Sequence, residues 1–208
     1  MKFGTSMLMA TLERRLGIMS KVFVTSDLHF NHDREFVWGA RGFSSVKEMN
    51  ETIIHRWNMI VSPEDDVYVL GDLCLGGAGM NNENQKLIER LNGRIHIILG
   101  NHDTPARIEM YRFCKNVVEE PKYADMLRYR GYHFYLSHFP TMTANLEKES
   151  LKQCTINLYG HTHQKDSFYQ GLPYLYHVGM DSYNCYPVLL DDAIEEMKQE
   201  VKKCFEQL

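Results

Sequence analysis

The stretch of sequence that decides the fold is KVFVTSDLHF, residues 21–30. Its first half is a short run of β-branched and aromatic residues, which is typical of a buried strand. The strand ends at Ser26, and the loop that follows carries Asp27 and His29. The stretch therefore predicts a buried strand whose carboxyl end delivers polar side chains into a loop.

Four further segments repeat this order of buried strand and polar loop. Strands are predicted at residues 67–70, 95–99, 132–136 and 156–159, ending in Gly71-Asp72, Gly100-Asn101-His102-Asp103, Ser137-His138 and Gly160-His161-Thr162-His163. Helices are predicted from Ser45, which forms a capping box with Glu48, to Pro63, at residues 84–91 and at 190–208. This pattern predicts an α/β fold in which ligands bind beyond the carboxyl ends of the strands.

Length, charge and cysteine content narrow the class of protein. The chain has 208 residues, of which 44% are hydrophobic, enough for one domain with a sizeable core. A formal net charge of -4 does not favour nucleic acid as a partner, although a local basic patch stays an alternative. The five cysteines form no CxxC pair, which argues against a zinc knuckle or a disulfide framework.

The N-terminal residues show no targeting signal. The apolar stretch at residues 7–10 is soon broken by Glu13, and no apolar run approaches the ~20 residues that cross a bilayer. We therefore expect a cytoplasmic protein with no membrane partner. Met19 lies just before the first strand, so we interpret residues 1–18 as an extension and residues 19–208 as a single domain.

Each polar motif is weak when taken alone. Asp27 or Asp72 fits an ordinary turn carboxylate or helix cap, and His138 fits a packed loop imidazole. The signal lies in the order of the five motifs and in their common position at strand ends. Together, they favour a metal site over five unrelated structural roles.

In this order the five motifs resemble those of the calcineurin-like metallophosphoesterase family. The resemblance runs from Lys21 to about Pro187 and is greatest to a small bacterial and phage-associated branch. One departure is Asn31, which stands where that branch has a glycine. The resemblance implies an α/β fold built as a four-layer α/β/β/α sandwich.

The resemblance also implies a set of seven ligands for two metal ions. One ion would take Asp27, His29 and His163, the other Asn101, His138 and His161, and Asp72 would bridge the two. Mixed nitrogen and oxygen ligands suit two divalent transition-metal ions, Mn, Fe, Zn or Co, better than Mg or Ca.

Such a centre implies a phosphoester hydrolase. A hydroxide that bridges the metals would attack phosphorus, and His102 would protonate the leaving alkoxide. Asp103 would orient the His102 imidazole. His32 and Arg41 are candidate substrate contacts, the latter because a guanidinium offers paired donors to a phosphate.

The sequence predicts a phosphomonoesterase or phosphodiesterase that acts on a small-molecule or exposed phosphate ester. One alternative is a nuclease that acts on DNA or RNA, which the acidic balance does not favour. A second alternative is a scaffold of the same fold that has lost hydrolysis. Such loss usually removes ligands or the motif histidine, and this chain keeps both. Oligomeric state is left open.

Overall fold

The described part of the chain forms two β-sheets with helices around them. The structure is a computed structural model. It covers residues 20–143 and 150–206. The predicted extension at residues 1–18 lies outside the described residues. Within these ranges, no helix combines the length and apolar character required to cross a bilayer.

The first sheet has the strand order β3-β2-β1-β9. Its strands are β1 (Val22–Thr25), β2 (Asp66–Leu70), β3 (Arg94–Ile98) and β9 (Val188–Leu189). The first three are parallel and β9 runs antiparallel to β1. Because parallel strands end at the same edge, the loops after β1, β2 and β3 lie side by side.

The second sheet has the order β4-β5-β6-β8-β7. Its strands are β4 (Ala124–Tyr129), β5 (Tyr132–Ser137), β6 (Thr155–Tyr159), β7 (Phe168–Tyr169) and β8 (Leu172–His177). The central strands β5, β6 and β8 are parallel, and the outer strands β4 and β7 pair antiparallel with their neighbours. The loops after β5 and β6 therefore also share one edge.

Five α-helices accompany the sheets in the described ranges. They are α1 (Glu35–Trp38), α2 (Val46–Ile60), α3 (Asn81–Ile88), α4 (Pro105–Arg112) and α5 (Leu190–Glu206). Ser45 caps α2 as predicted, since its hydroxyl accepts from the Glu48 amide at 3.2 Å. The Glu48 carboxylate instead accepts from the Ser44 amide and hydroxyl, one residue before the expected partner.

Alternating side chains of the first sheet face two different apolar clusters. Phe23, Val67 and Ile95 join the cluster that contains Met49 and Trp57 of α2. The other face contributes to a cluster with both the second sheet and α5, whose members include Val24, Leu70, Ile98, Phe134, Leu136, Ile156, Leu158, Ile194 and Met197. The mixed α/β architecture with two sheets is thus confirmed, while the exact four-layer stacking stays a prediction.

Candidate metal centre

The five strand-end loops converge on one cluster of side chains. Two groups have ligand atoms that all lie within 4.8 Å of one another: Asp27, His29 and His163, and Asp27, Asp72 and His138. These residues follow β1, β2, β5 and β6, so both sheets contribute. The structure thus brings together residues that the sequence separates by more than a hundred positions.

The first group is built around the Asp27 carboxylate. Its Oδ1 lies 3.8 Å from the Nε2 atoms of both His29 and His163, which are 3.2 Å apart. Its Oδ2 accepts from the Ser26 hydroxyl at 2.6 Å and from the His161 amide at 2.9 Å. Oδ1 is buried and has no hydrogen-bond partner, an arrangement that costs free energy unless a cation lies beside it.

The second group shares Asp27 with the first and adds Asp72 and His138. The His138 Nε2 lies 3.5 Å from Asp72 Oδ2 and 2.9 Å from Asn101 Oδ1. The His161 Nδ1 is also 2.9 Å from Asn101 Oδ1. All seven predicted ligands therefore belong to one connected cluster, in which Asp27, and not Asp72, is common to both groups of ligand atoms.

Hydrogen bonds on the far side of two imidazoles favour the tautomer that binds metals. The His138 Nδ1 donates to the Leu70 carbonyl at 2.8 Å, and the His163 Nδ1 donates to Asp181 Oδ2 at 2.8 Å. A neutral imidazole that donates from Nδ1 keeps a lone pair on Nε2, the atom directed into the cluster. With the unpartnered Asp27 oxygen, these donors fit two divalent transition-metal ions.

The floor of the cluster is buried and its mouth is open. Asp27, His29, Asp72 and His138 are almost fully buried, whereas Asn101, His161 and His163 are exposed. Burial lowers the pKa of His29 well below its usual range, and the neighbouring His163 lowers it further. The hydrogen bond that His163 donates to Asp181 raises the pKa of His163. The buried imidazole is thus held neutral, while the exposed one binds a proton more readily.

Backbone strain is concentrated in these loops. Five of the seven predicted ligands have positive φ angles, a conformation that side chains with a Cβ seldom adopt: Asp27 (57°), His29 (55°), Asp72 (55°), His161 (69°) and His163 (49°). Each such residue costs on the order of 1–3 kcal/mol, and strain of this kind clusters at functional sites. Asn31 also has a φ of 58°, a conformation that glycine adopts most readily and that Asn tolerates better than most other residues.

The predicted catalytic histidine lies at the rim of the cluster. The His102 amide donates to Asp72 Oδ1 at 2.9 Å, and its Nε2 lies 3.9 Å from Asp72 Oδ2. The side chain is 43% exposed, so its imidazole is accessible to a molecule that enters from solvent. This placement is compatible with proton transfer, and the catalytic role stays a prediction.

The expectation that Asp103 orients the His102 imidazole needs correction. Asp103 Oδ2 accepts from the amides of Gly100 and Asp72, at 2.7 and 3.2 Å, and Oδ1 accepts from the Tyr111 hydroxyl at 2.6 Å. Both oxygens are thus used by other groups, because the turn after β3 directs this side chain inward. Asp103 instead ties the loop after β2 to the loop after β3.

Arg41 is also placed differently from the prediction of a phosphate contact. Its side chain is 2% exposed and pairs with both oxygens of Asp181 at 3.0 Å. It also donates to the carbonyls of Asp27 and Leu28, at 2.7 and 3.1 Å. The guanidinium therefore stabilises the loop after β1 through these buried contacts. It does not face the solvent from which a phosphate would enter.

Asp181 is the residue that sequence reasoning missed. Burial tends to raise its pKa, but the hydrogen bonds from His163 and Arg41 outweigh burial and hold the pKa well below the usual carboxyl range. The ionised carboxylate orients the His163 imidazole. The signal that could have found it is its position after β8, at the same sheet edge as the other motifs.

His32 lies beside the cluster but outside the two ligand groups. Its Nδ1 is 3.3 Å from the Nδ1 of His29, and its ring centre is 6.2 Å from that of His102. Burial lowers its pKa, and the adjacent His102 lowers it further. Its predicted role as a substrate contact stays a prediction.

Fold and cluster together define a mixed α/β protein with a candidate dinuclear metal centre. The model of the calcineurin-like phosphoesterase family matches residues 20–187, and the chain belongs to this family. The family assignment made from the five motifs is therefore confirmed. Five of the seven predicted ligands form the two groups that could hold a metal ion.

The chain is also similar to two known proteins and to one solved structure. An uncharacterized protein of Methanocaldococcus jannaschii is 38% identical over 128 residues, 62% of this chain and 64% of that protein. The gene 66 protein of Mycobacterium phage D29 is 28% identical over 202 residues, 89% of this chain and 99% of that protein. A solved structure from Aquifex aeolicus, of unknown function, has a TM-score of 0.61 at 20% identity, covers 85% of this chain and 98% of its own, and shows the fold.

Proposed function

We propose that this protein is a phosphoester hydrolase that depends on two divalent transition-metal ions. The observation that carries the proposal is that Asp27, whose Oδ1 is buried without a partner, belongs to two groups of carboxylate oxygens and imidazole nitrogens, each with its ligand atoms within 4.8 Å of one another. Membership of the calcineurin-like phosphoesterase family supports it. The expected substrates are phosphomonoesters or phosphodiesters that are small or otherwise accessible.

The residues divide into two sets around the shared carboxylates. Asp27, His29 and His163 would hold one ion, Asn101, His138 and His161 the other, and Asp72 would contact both. When bound, the ions would acidify a water molecule that serves as the nucleophile and would neutralise charge on the phosphoryl oxygens. Mn, Fe, Zn and Co all fit this mixture of nitrogen and oxygen donors.

The chain's own groups supply proton transfer and positioning. The His102 imidazole lies at the open mouth, beside Asp72, where it can give a proton to the departing oxygen. Asp181 fixes the ring of His163, and Arg41 holds both Asp181 and the Asp27 backbone. These buried contacts preorganise the donors, which favours catalysis because little reorganisation is needed during the reaction.

The two alternatives to this proposal predict different features. A nuclease needs basic surface for the nucleic-acid backbone, and the chain carries a net charge of -4. A scaffold that had lost hydrolysis would have no need of a complete ligand set. Here all seven predicted ligands and His102 lie in one cluster, which supports an enzyme.

The first test is hydrolysis of chromogenic esters in the presence of Mn²⁺, with Fe, Zn and Co as parallel arms. We expect turnover of 4-nitrophenyl phosphate or of a matched diester, and near-complete loss in Asp72→Asn and in His138→Ala, because each change removes a ligand. His55→Ala is the matched control, since His55 is an exposed imidazole on α2. Activity that survives in both ligand variants would contradict the proposal.

A further inference from the structure

Two exposed phenylalanines lie against imidazoles at the candidate metal centre, one against the predicted ligand His161 and the other against His32, which lies beside the ligands. Among the described residues, three phenylalanines are strongly exposed: Phe36 (73%), Phe113 (67%) and Phe139 (49%). The ring of Phe36 is 5.7 Å from that of His32, at 86°. The ring of Phe139 is 4.6 Å from that of His161, at 60°. Two of the three exposed rings therefore border the centre.

Each ring belongs to a different half of the centre. Phe36 packs on His32, whose ring is 5.1 Å from His29 and 6.2 Å from His102. Phe139 packs on His161 and lies 5.1 Å from His138, the two imidazoles next to Asn101. Phe36 is thus connected to the predicted proton donor through His32, and Phe139 lies against the second set of predicted ligands.

An isolated exposed phenylalanine needs no explanation, because folded proteins expose much apolar surface. A pair at the rim of a polar centre is different, since water is the only neighbour of the exposed part of each ring until a molecule binds. Stacking a flat group on an aromatic side chain contributes to affinity whatever its hydrogen-bonding pattern. The two rings therefore offer two separate binding surfaces beside one phosphate position.

We propose that the substrate is a phosphodiester with two flat substituents, and that Phe36 and Phe139 are its specificity-determining residues. This inference rests on the proposed function and narrows it. Phe36, on the side of His102, binds the substituent that leaves, and Phe139 binds the one that stays on phosphorus. A phosphomonoester has one organic substituent and would use only one ring.

Water is the only second reactant that this hydrolysis requires. The oxygen of water forms a bond to phosphorus, and the bond from phosphorus to the oxygen of the leaving substituent breaks. One proton of the water passes to the solvent or a base, and His102 gives a proton to the leaving oxygen. The products are an alcohol or phenol, which departs from Phe36, and a phosphomonoester, whose remaining substituent stays on Phe139.

The test compares two diesters that share the 4-nitrophenolate leaving group, methyl 4-nitrophenyl phosphate and phenyl 4-nitrophenyl phosphate. We expect the Mn²⁺-loaded enzyme to have a KM about tenfold lower for the phenyl ester, within the range of one stacked ring. Phe139→Ala should abolish this ratio and Phe139→Trp restore it. Phe36→Ala should raise KM for both esters alike, because both share the leaving group.

Phe113→Ala is the matched control, since Phe113 is 67% exposed and follows α4 at its far end. It should leave both KM values unchanged. Calorimetric titration with diphenyl and dimethyl phosphate repeats the comparison without turnover, and Phe139→Ala should weaken only the diphenyl ester, by about tenfold. Circular dichroism of each variant verifies folding.

The outcomes separate this inference from the proposed function. If Phe139→Ala hydrolyses the esters and the ratio of its KM values for the phenyl and methyl esters is the same as in the wild type, the inference is overturned and the hydrolase proposal stands. A higher kcat/KM for 4-nitrophenyl phosphate than for the phenyl diester would do the same. Wild-type protein that hydrolyses none of these esters with any of the four metals would overturn both.

Discussion

Asp27 is the residue on which the two donor groups meet. Its Oδ2 is satisfied by Ser26 and by the His161 amide, while Oδ1 lies buried between two imidazole nitrogens. A buried carboxylate oxygen without a donor is costly, and a divalent cation removes that cost. The amino-acid types at this position and its neighbours could be predicted from sequence, but the unpartnered oxygen could not, because it depends on packing.

His102 is the predicted general acid, and its imidazole lies at the exposed rim of the cluster. Its side chain touches the centre only at the rim, 3.9 Å from Asp72, so His102→Gln should retain the metals. We expect kcat to fall by roughly 10²–10⁴-fold for an ester with a poor leaving group, the usual contribution of a general acid. The loss should shrink for 4-nitrophenolate, which departs without a proton.

Metal content and steady-state kinetics with an alkyl and a nitrophenyl ester check this prediction. The backbone bond from the His102 amide to Asp72 remains in the variant, so the loop should keep its shape. An equal loss of kcat on both esters, or a parallel loss of bound metal, would show that His102 acts by holding the structure.

At the scale of elements, the strand-to-loop transitions carry the site, and their strained turns need support from neighbouring elements. Gly100 shows how close this packing is, because a Cβ at this position would overlap Asp72 Oδ1. The strand ends were predictable from runs of apolar residues followed by polar ones. The pairing of Arg41 with Asp181 was not, since 140 positions separate the two and no local pattern connects them.

The loop before α2 should stabilise the loop after β1 through the buried Arg41 side chain. Arg41→Lys keeps the charge but loses the paired donors, so we expect a lower free energy of unfolding by roughly 1–3 kcal/mol. Arg41→Met leaves Asp181 without its buried partner and should cost roughly 3–5 kcal/mol. Urea unfolding of the two variants measures both losses.

Arg90→Lys is the matched control for this comparison. Arg90 also makes paired hydrogen bonds, to Glu51 at 2.8 and 2.6 Å, but both partners are about half exposed. Exposed pairs of this kind contribute little, so the unfolding free energy should change by less than about 1 kcal/mol. Equal effects at Arg41 and Arg90 would contradict the supporting role of the buried pair.

For the whole molecule, the arrangement of the two sheets brings loops from both into one cluster. The order of motifs and their family resemblance predicted this convergence, and the match over residues 20–187 confirms the family. Individual pairings escaped prediction: β9 returns beside β1 only in the folded chain, and the turn after β3 directs Asp103 away from His102. Sequence patterns give the type of each element, whereas side-chain direction depends on long-range contacts.

The most direct test of the central claim is the number of metal ions that one chain binds. Protein freed of metal with a chelator is titrated with Mn²⁺ by calorimetry, and bound metal is counted by elemental analysis. We expect two ions per chain in the wild type and in His55→Ala, and fewer in Asp72→Asn and His138→Ala. Two ions bound with unchanged affinity in both ligand variants, or no saturable binding by the wild type, would contradict the account.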